Sequence, residues 1–301
     1  MSVATFMDEV MEPTAYLPGA DVTVELAELG EGDRAEVLSF LAERSLHTVC
    51  MAGLIRDNGL ASEHNRGTFY GCRNSAGRLE GVALVGHATL VEARTRRAMR
   101  EFALAAQASP RTHMIMGEVE AVEDFWGHYA DEGRAMRRAC REALFDLRRG
   151  VQTGADVSDL RPATPEDLDL IVPVHAALAE AESGVNPLAS DAEGFRRRCL
   201  RRVEQGRTFV VVRDGRLLFK ADVQADTPEV VYLEGVYVHP SERGTTFGRR
   251  ALSDLARRLL ARTRAVCLLV NEENERAQRF YRMCGFKHQG TCDTIFLGED
   301  N

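Results

Sequence analysis

No CxxC pair occurs anywhere in the sequence. Its seven cysteines (Cys50, Cys72, Cys140, Cys199, Cys267, Cys284 and Cys292) are odd in number and widely spaced. That pattern argues against a disulfide framework or a zinc knuckle and points to a reducing cytoplasm. No apolar run approaches the roughly 20 residues of a membrane-spanning helix. The opening MSVATFMDEVMEP lacks the basic end and apolar stretch of a signal peptide. The histidines His47, His64, His87, His113 and His128 have no metal-ligand spacing, so no metal site is expected. Net positive charge is also missing: the balance is -8, which disfavours nucleic-acid binding by the surface as a whole.

What is present is an ordinary globular composition, 45% hydrophobic and 28% charged, over 301 residues, a length that suggests two domains. The expected boundary is GVQTGADVSD, residues 150 to 159, which has no apolar period. After it, Thr164-Pro165-Glu166-Asp167 reads as a helix start. RTFVVVRDGRLLFKADVQ reads as a hairpin about Asp214-Gly215, and PEVVYLEGVYVHP as a further strand. FGRRALSDLARRLLART, with Leu252, Leu255, Leu259 and Leu260 between arginines, is an amphipathic helix. AVCLLV then suits a buried strand, ENERAQRFYRMCGF a helix capped by Gly285, and KHQGTCDTIFL a last strand. The first half gives a weaker copy of this order. It includes a short strand and a helix with Val37, Phe40 and Leu41 apolar, and an aromatic pair, Phe125-Trp126, that parallels Phe280-Tyr281. Two unrelated α+β domains would produce the same pattern.

Two stretches carry chemistry. In VYVHPSERGTTFGRR a strand ends at His239-Pro240, and Arg243, Gly244, Thr245, Thr246, Phe247, Gly248, Arg249 and Arg250 lead into a helix. A helix start offers unpaired N–H groups and about half a positive charge, glycine permits close approach, and arginine adds full charge, so the joint suits a phosphate or pyrophosphate. Alone, it reads more often as a glycine-bearing turn with solvated arginines. The second stretch, Asn274 to Phe286, has the form N-x-x-A-x-x-F-Y-x-x-x-G-F, with Phe280 as an anchor and Tyr281 about 100° further round the helix, free to face a cleft.

Together, in this order, these stretches resemble the GNAT N-acetyltransferase superfamily. The resemblance covers about residues 158 to 297, and the rest only as an echo of the fold. It implies an α+β protein of two tandem GNAT-like domains, each a mixed, mostly antiparallel central sheet flanked by helices: 20–150, degenerate and without an acetyl-CoA site, and 158–297, the acetyltransferase domain. The signature Q/R-x-x-G-x-G/A is Arg243 to Gly248 here, with Thr246 where the family usually has glycine. That departure implies adjusted coenzyme binding rather than its loss. By resemblance, the main chain of Val236, Tyr237 and Val238 pairs with pantetheine. The amides of 244 to 249 (Gly244, Thr245, Thr246, Phe247, Gly248, Arg249), with Arg243, hold pyrophosphate, and Asn274 bonds pantetheine. The expected partners are acetyl-CoA and an amine of unspecified identity, without nucleic acid or membrane. A homodimer is compatible with the resemblance.

Transfer from a thioester to a primary amine needs a base for the amine and a proton or hydrogen bond for the departing sulfur. Tyr281 is the candidate acid, a phenol protonated at neutral pH. Glu234, in the apolar run YLEGVYV, is the candidate base, and strand alternation places it on one face with Val236 and Val238 and opposite Tyr237. His239 is the second choice as base. Cys284 reads as a packed thiol, Trp126 as core, and the run Arg196, Arg197, Arg198, Arg201 and Arg202 as a solvated helix face or a guide for an acidic substrate. The rival reading is an acyl-CoA-binding regulatory or scaffold protein with little turnover.

Overall fold

The computed structural model describes residues 24–150 and 157–298; most of the expected boundary, 151–156, lies outside them. The first half runs β1 (Glu25–Glu28), α1 (Arg34–Ala42), α2 (Val49–Asn58), β2 (Gly67–Arg73), β3 (Leu79–Gly86), β4 (Ala88–Ala93), α3 (Arg96–Gln107), β5 (Met114–Glu118), α4 (Val119–Tyr129) and β6 (Met136–Leu147). The second repeats the order: β7 (Arg161–Pro162), α5 (Leu168–Ser183), α6 (Pro187–Glu204), β8 (Thr208–Arg213), β9 (Arg216–Asp226), β10 (Val230–Val238), α7 (Phe247–Leu260), β11 (Ala265–Asn271), α8 (Glu275–Met283) and β12 (Lys287–Leu297). Helices and a mostly antiparallel sheet make this an α+β architecture.

Local chemistry explains the units. The Asp214-Gly215 turn has both residues at positive φ, 48° and 70°, which matches the twist of the strands it joins. Asp167 and Thr164 form a reciprocal cap, so α5 opens through a 3-10 turn at Pro165–Asp167. In α7, Ala251, Leu252, Leu255, Ala256 and Leu259 are buried on one stripe. In α1 the buried residues are Val37, Phe40 and Leu41.

The strands join into a single sheet of order β1-β2-β3-β4-β5-β12-β6-β11-β10-β9-β8-β7. Only β4–β5 and β10–β11 are parallel among the described pairings. The centre does not follow chain order. β6 from the first half pairs antiparallel with β11, and β12 from the second half pairs with β5 and β6. Each half therefore lends its last strand to the other. α2 also crosses over: Val49 packs with Ala225, Val230, Ala265 and Cys267 of the second half. A Cβ on Gly53 would stand only 2.6 Å from the Cβ of Ala225, so this helix lies hard against β9.

β6 carries Ala143, Phe145 and Leu147 into the same core as α7 and β11. Without it, β11 and β12 would each expose an unpaired edge. We expect residues 157–298 expressed alone to be insoluble or to lack cooperative unfolding, and co-expression with residues 24–150 to restore a soluble complex. Calorimetry and co-purification check this; a cooperative melt of the isolated second segment would contradict it.

Candidate active site

β10 and β11 are paired from Val230–Ala265 to Leu233–Leu268, and then part. β10 continues to Val238, and its residues 234 to 238 are all half-buried. At the point of parting Gly235 has φ +59°, and β10 takes three steps from Glu234 to Tyr237 where β9 takes two from Asp222 to Lys220, a bulge. This corrects the simple alternation. Val231, Leu233, Val236 and Val238 face α7, whereas Tyr237 packs against α5 and α6. The extra residue removes Glu234 from the face of Val236 and Val238 and turns it to the side of Tyr232 and Tyr237.

On the α7 side stands the turn foreseen as a phosphate site. Gly244 has φ +85° with open space around it, a conformation that a side chain would strain. Gly248 is needed for a different reason: a Cβ there would come 2.8 Å from Val238 and 3.5 Å from Phe280, so glycine lets α7 begin against the end of β10 and α8. Thr245 Oγ1 accepts from Phe247 N (3.1 Å) and donates to Glu242 O (2.8 Å). Thr246 precedes the helix without a side-chain cap. Arg243 is exposed and its Nε donates to Val238 O at 2.9 Å, tying the turn to the strand. Arg249 Nε is buried without a hydrogen-bond partner among the described residues. The corresponding start in the first half differs: Thr95 Oγ1 accepts from Ala98 N (3.2 Å), so α3 is capped by its own chain.

Asn274 caps α8, its Oδ1 accepting from Ala277 N at 3.0 Å. Tyr281 is more deeply placed than the pattern suggested. It is 8% exposed, with ring centroids 5.5 Å from Phe280, 6.0 Å from Phe286 and 6.4 Å from Phe145 of β6, while Phe280 is only half-buried. Burial pushes the Tyr281 phenol well up. His239 is occupied locally, its Nδ1 2.8 Å from Ser241 Oγ. Cys284 is buried, and that burial raises its thiol to about 12, as befits packing.

The opposite face of β10 is acidic. Glu142 of β6 is 7% exposed; burial, opposed by a hydrogen bond from Thr294 (3.1 Å) and reinforced by Glu234 and Asp293, raises its carboxyl to about 7. Glu182 near the end of α5 is exposed to water, and crowding by the surrounding chain, then Glu234 and Glu142, push its carboxyl up to about 8. Beside this acidic chamber, Lys220 (0% exposed) and Asp222 (1%) form a buried ion pair with Arg202 and His175 in contact. Arg202 therefore departs from the solvated reading of its arginine run. Arg196, Arg197 and Arg198 make exposed pairs with Asp169, Glu193 and Asp191. Trp126 packs on Tyr129 at 5.6 Å.

In the first half, β4 and β5 also part, after Leu90–Met116. There Arg44 bridges Glu92 (3.2 Å) and Glu118, so the flanking carboxylates are joined by a guanidinium.

Residues 174–286 match the family described as Acetyltransferase (GNAT). This segment is similar to the GNAT acetyltransferases, a family whose general activity is acyl-CoA-dependent N-acetyltransfer. The fold of the whole chain is shared more widely. A GNAT-family acetyltransferase of Colwellia psychrerythraea is 14% identical, with TM-score 0.52 over 92% of this chain and 100% of that one. A tandem GNAT protein from the clavulanic acid biosynthesis pathway is 16% identical, with TM-score 0.54 over 93% and 100%. A Drosophila protein reaches TM-score 0.64 at 10% identity over 92% and 99%. No curated protein matches the sequence significantly. No helix among the described residues is long and apolar enough to cross a membrane.

Three residues of this candidate site were not singled out by sequence: Glu142, Glu182 and His175. Glu142 reaches the chamber only because β6 changes halves. Gly235, a glycine inside a strand, was the available signal for the bulge. Glu142 also sets a stability test. Its folded pKa is raised above the usual carboxylate value, so the native state holds the proton more tightly, and stability is lost as pH rises through about 7. Glu142→Gln should match the parent near pH 5 and exceed it above pH 8 by roughly 2 kcal/mol, a Tm gain on the order of 4–8 °C. Thermal melts across pH check this; parallel curves would refute the buried-carboxylate assignment.

Proposed function

We propose that the chain is an acetyl-CoA-dependent N-acetyltransferase that moves the acetyl group directly to a primary amine in a ternary complex. The observation that carries the reading is the parting of β10 from β11, with a glycine-bearing helix start whose Thr246 makes no side-chain cap on one side and carboxylates on the other. The division into 20–150 and 158–297 belongs to the same reading, as two like-ordered domains that exchange their last strands.

Where the strands part, the main chain of Val236, Tyr237 and Val238 has an edge turned to the gap and can pair with the amides of pantetheine. Asn274 spends its oxygen on the cap and keeps its NH₂ for the same arm. The amides of the 244–249 turn, with Arg243 and Arg249, oppose a diphosphate. Thr246 leaves its hydroxyl uncommitted to capping, free to donate to a phosphate oxygen.

Acceptor chemistry falls to the other face. Glu234, beside Glu142 and Glu182, favours an acceptor that arrives as an ammonium ion, and Glu234 is the candidate base. The neutral amine attacks the thioester carbonyl, a C–N bond forms and the C–S bond breaks. Tyr281, firmly protonated, serves the departing sulfur chiefly as a hydrogen-bond donor.

Titration calorimetry should show saturable acetyl-CoA binding. Arg243→Glu combined with Arg249→Glu should weaken it at least about tenfold, with the loss shrinking at high salt. Unchanged affinity would remove the turn as the diphosphate site. Tyr281→Phe should lower kcat roughly a hundredfold at unchanged acetyl-CoA affinity. Full turnover in that variant would remove Tyr281 from the reaction. Binding without turnover on a panel of alkylamines, diamines and lysyl peptides would favour a regulatory module instead.

A further inference from the structure

A group of buried charges backs the strand that carries Glu234. Lys220 and Asp222 lie on β9, sealed from water, directly beneath the bulge. Lys220 Nζ contacts Asp222 and donates to Gly235 O at 3.4 Å. Asp222 Oδ1 accepts from Thr208 Oγ1 (2.7 Å), and its Oδ2 from Arg202 (3.2 Å). Burial pushes the Asp222 carboxyl up, but Lys220, a hydrogen bond from His175 and Arg202 outweigh it and hold the group ionised. Burying this many charges on one sheet face is costly against an apolar alternative, and their placement asks for a purpose.

His175 supplies one. It projects from α5 with its ring against Phe195 (5.3 Å between centroids) and its Nδ1 3.2 Å from Asp222 Oδ2. The position a Cβ would take on Gly235 is 3.6 Å from that same nitrogen, so the imidazole stands at the point where β10 leaves β11. The side chain is 15% exposed, and Nε2 makes no hydrogen bond among the described residues. A carboxylate on Nδ1–H fixes the tautomer that leaves Nε2 with its lone pair, an arrangement suited to taking a proton.

We propose that His175 is a proton acceptor of the transfer reaction, with Asp222 as its positioning residue: a proton leaving the acceptor ammonium ends on His175 Nε2, directly or by way of Glu234. The inference rests on the transferase reading above. The balance is simple. The ammonium gives one proton to His175, and the neutral amine forms the C–N bond. As the C–S bond breaks, the second N–H proton ends on the coenzyme sulfur, and His175 returns its proton to solvent. Lys220 Nζ lies 3.3 Å from Nδ1 but, with Nδ1–H turned to Asp222, it donates to Asp222 and to Gly235 O instead, and through Gly235 O it fixes the bulge that brings strand and ring together.

The groups facing His175 are Asp222 and Lys220 from β9, Arg202 and Phe195 from α6, and Gly235 with neighbouring Glu234 from β10. The test compares the parent with His175→Gln, using acetyl-CoA and the best amine of the panel. We expect unchanged acetyl-CoA affinity, a kcat loss of roughly a hundredfold or more, disappearance of the rising limb of kcat/KM with pH, and partial rescue by added imidazole. Full kcat with the parent's pH profile would overturn the proposal and leave the transferase reading standing. Should the variant fail to fold, or should no amine on the panel turn over, ¹⁵N NMR of histidine-labelled parent protein decides. An Nδ1-protonated neutral imidazole supports His175 as acceptor; an Nε2-protonated one, with Nδ1 accepting from Lys220, overturns it. Absence of acetyl-CoA binding or of any turnover would instead count against the underlying reading.

Discussion

The site depends on β6 sitting between β11 and β12. One strand from the first half satisfies the backbone of two strands from the second, and it brings Phe145 and Leu147 to the core on one face and Leu144 to the packing of α2 on the other. Each such side chain contributes about 2 kcal/mol when removed from water. Asp146, also on β6 and 2% exposed, is satisfied by Arg148 and Gln289, both at 2.8 Å. The consequence for chemistry is direct. Glu142 enters the acidic chamber and Phe145 lies against Tyr281 only because the strand crosses. The segment that matches the GNAT family therefore does not contain its whole candidate site.

The bulge at Gly235 divides the site electrostatically. A regular strand would carry Glu234 on the same face as Val236 and Val238, where an apolar core waits and an unpaired carboxylate would be expensive. The inserted residue reverses the facing at that point. The arginines and amides of the 244–249 turn then lie on the α7 side, and Glu234, Glu142 and Glu182 on the other, where Lys220 and Arg202 are paired with Asp222. A doubly anionic diphosphate and an ammonium ion would thus meet complementary charge from opposite sides of one strand. Lys220 binding to the carbonyl of Gly235 makes the division a fixed feature of the backbone.

The legible parts were those whose chemistry is local. The Asp214-Gly215 hairpin, the stripe of α7 and the capping Asn274 follow from residues adjacent in sequence or one turn apart. β6 is not legible as a strand because ACREALFDL is rich in good helix formers; its strand character comes from neighbours on either side, not from propensity. The facing of Glu234 departs from period-two alternation because that rule assumes a regular strand, while the glycine in its middle signals a bulge. The depth of Tyr281 relative to Phe280 depends on Phe145, a residue far away in sequence. Likewise, nothing near His175 in the chain predicts Asp222 or Lys220, because α5 and β9 meet only after folding.

The same geometry explains what the first half does for the second. Its own strand gap is bridged by Arg44 between Glu92 and Glu118, and its helix α3 starts with a capped N-terminus, so neither the amides nor the open edge of the second half is repeated there. Its contributions lie elsewhere: β5 pairs with β12, β6 fills the sheet centre, and α2 covers β9 and β10. Arg207 to Asp57 and Arg201 to Asn58 (3.1 Å) tie α2 to α6 and the start of β8, next to the helix that carries Arg202. Movement of α2 would therefore disturb the wall that holds Asp222 and His175 before it disturbed the phosphate turn. Besides the strand pairing at the sheet centre, the halves are thus tied along α2, on the side where the proposed acceptor site lies and a second domain can shape specificity.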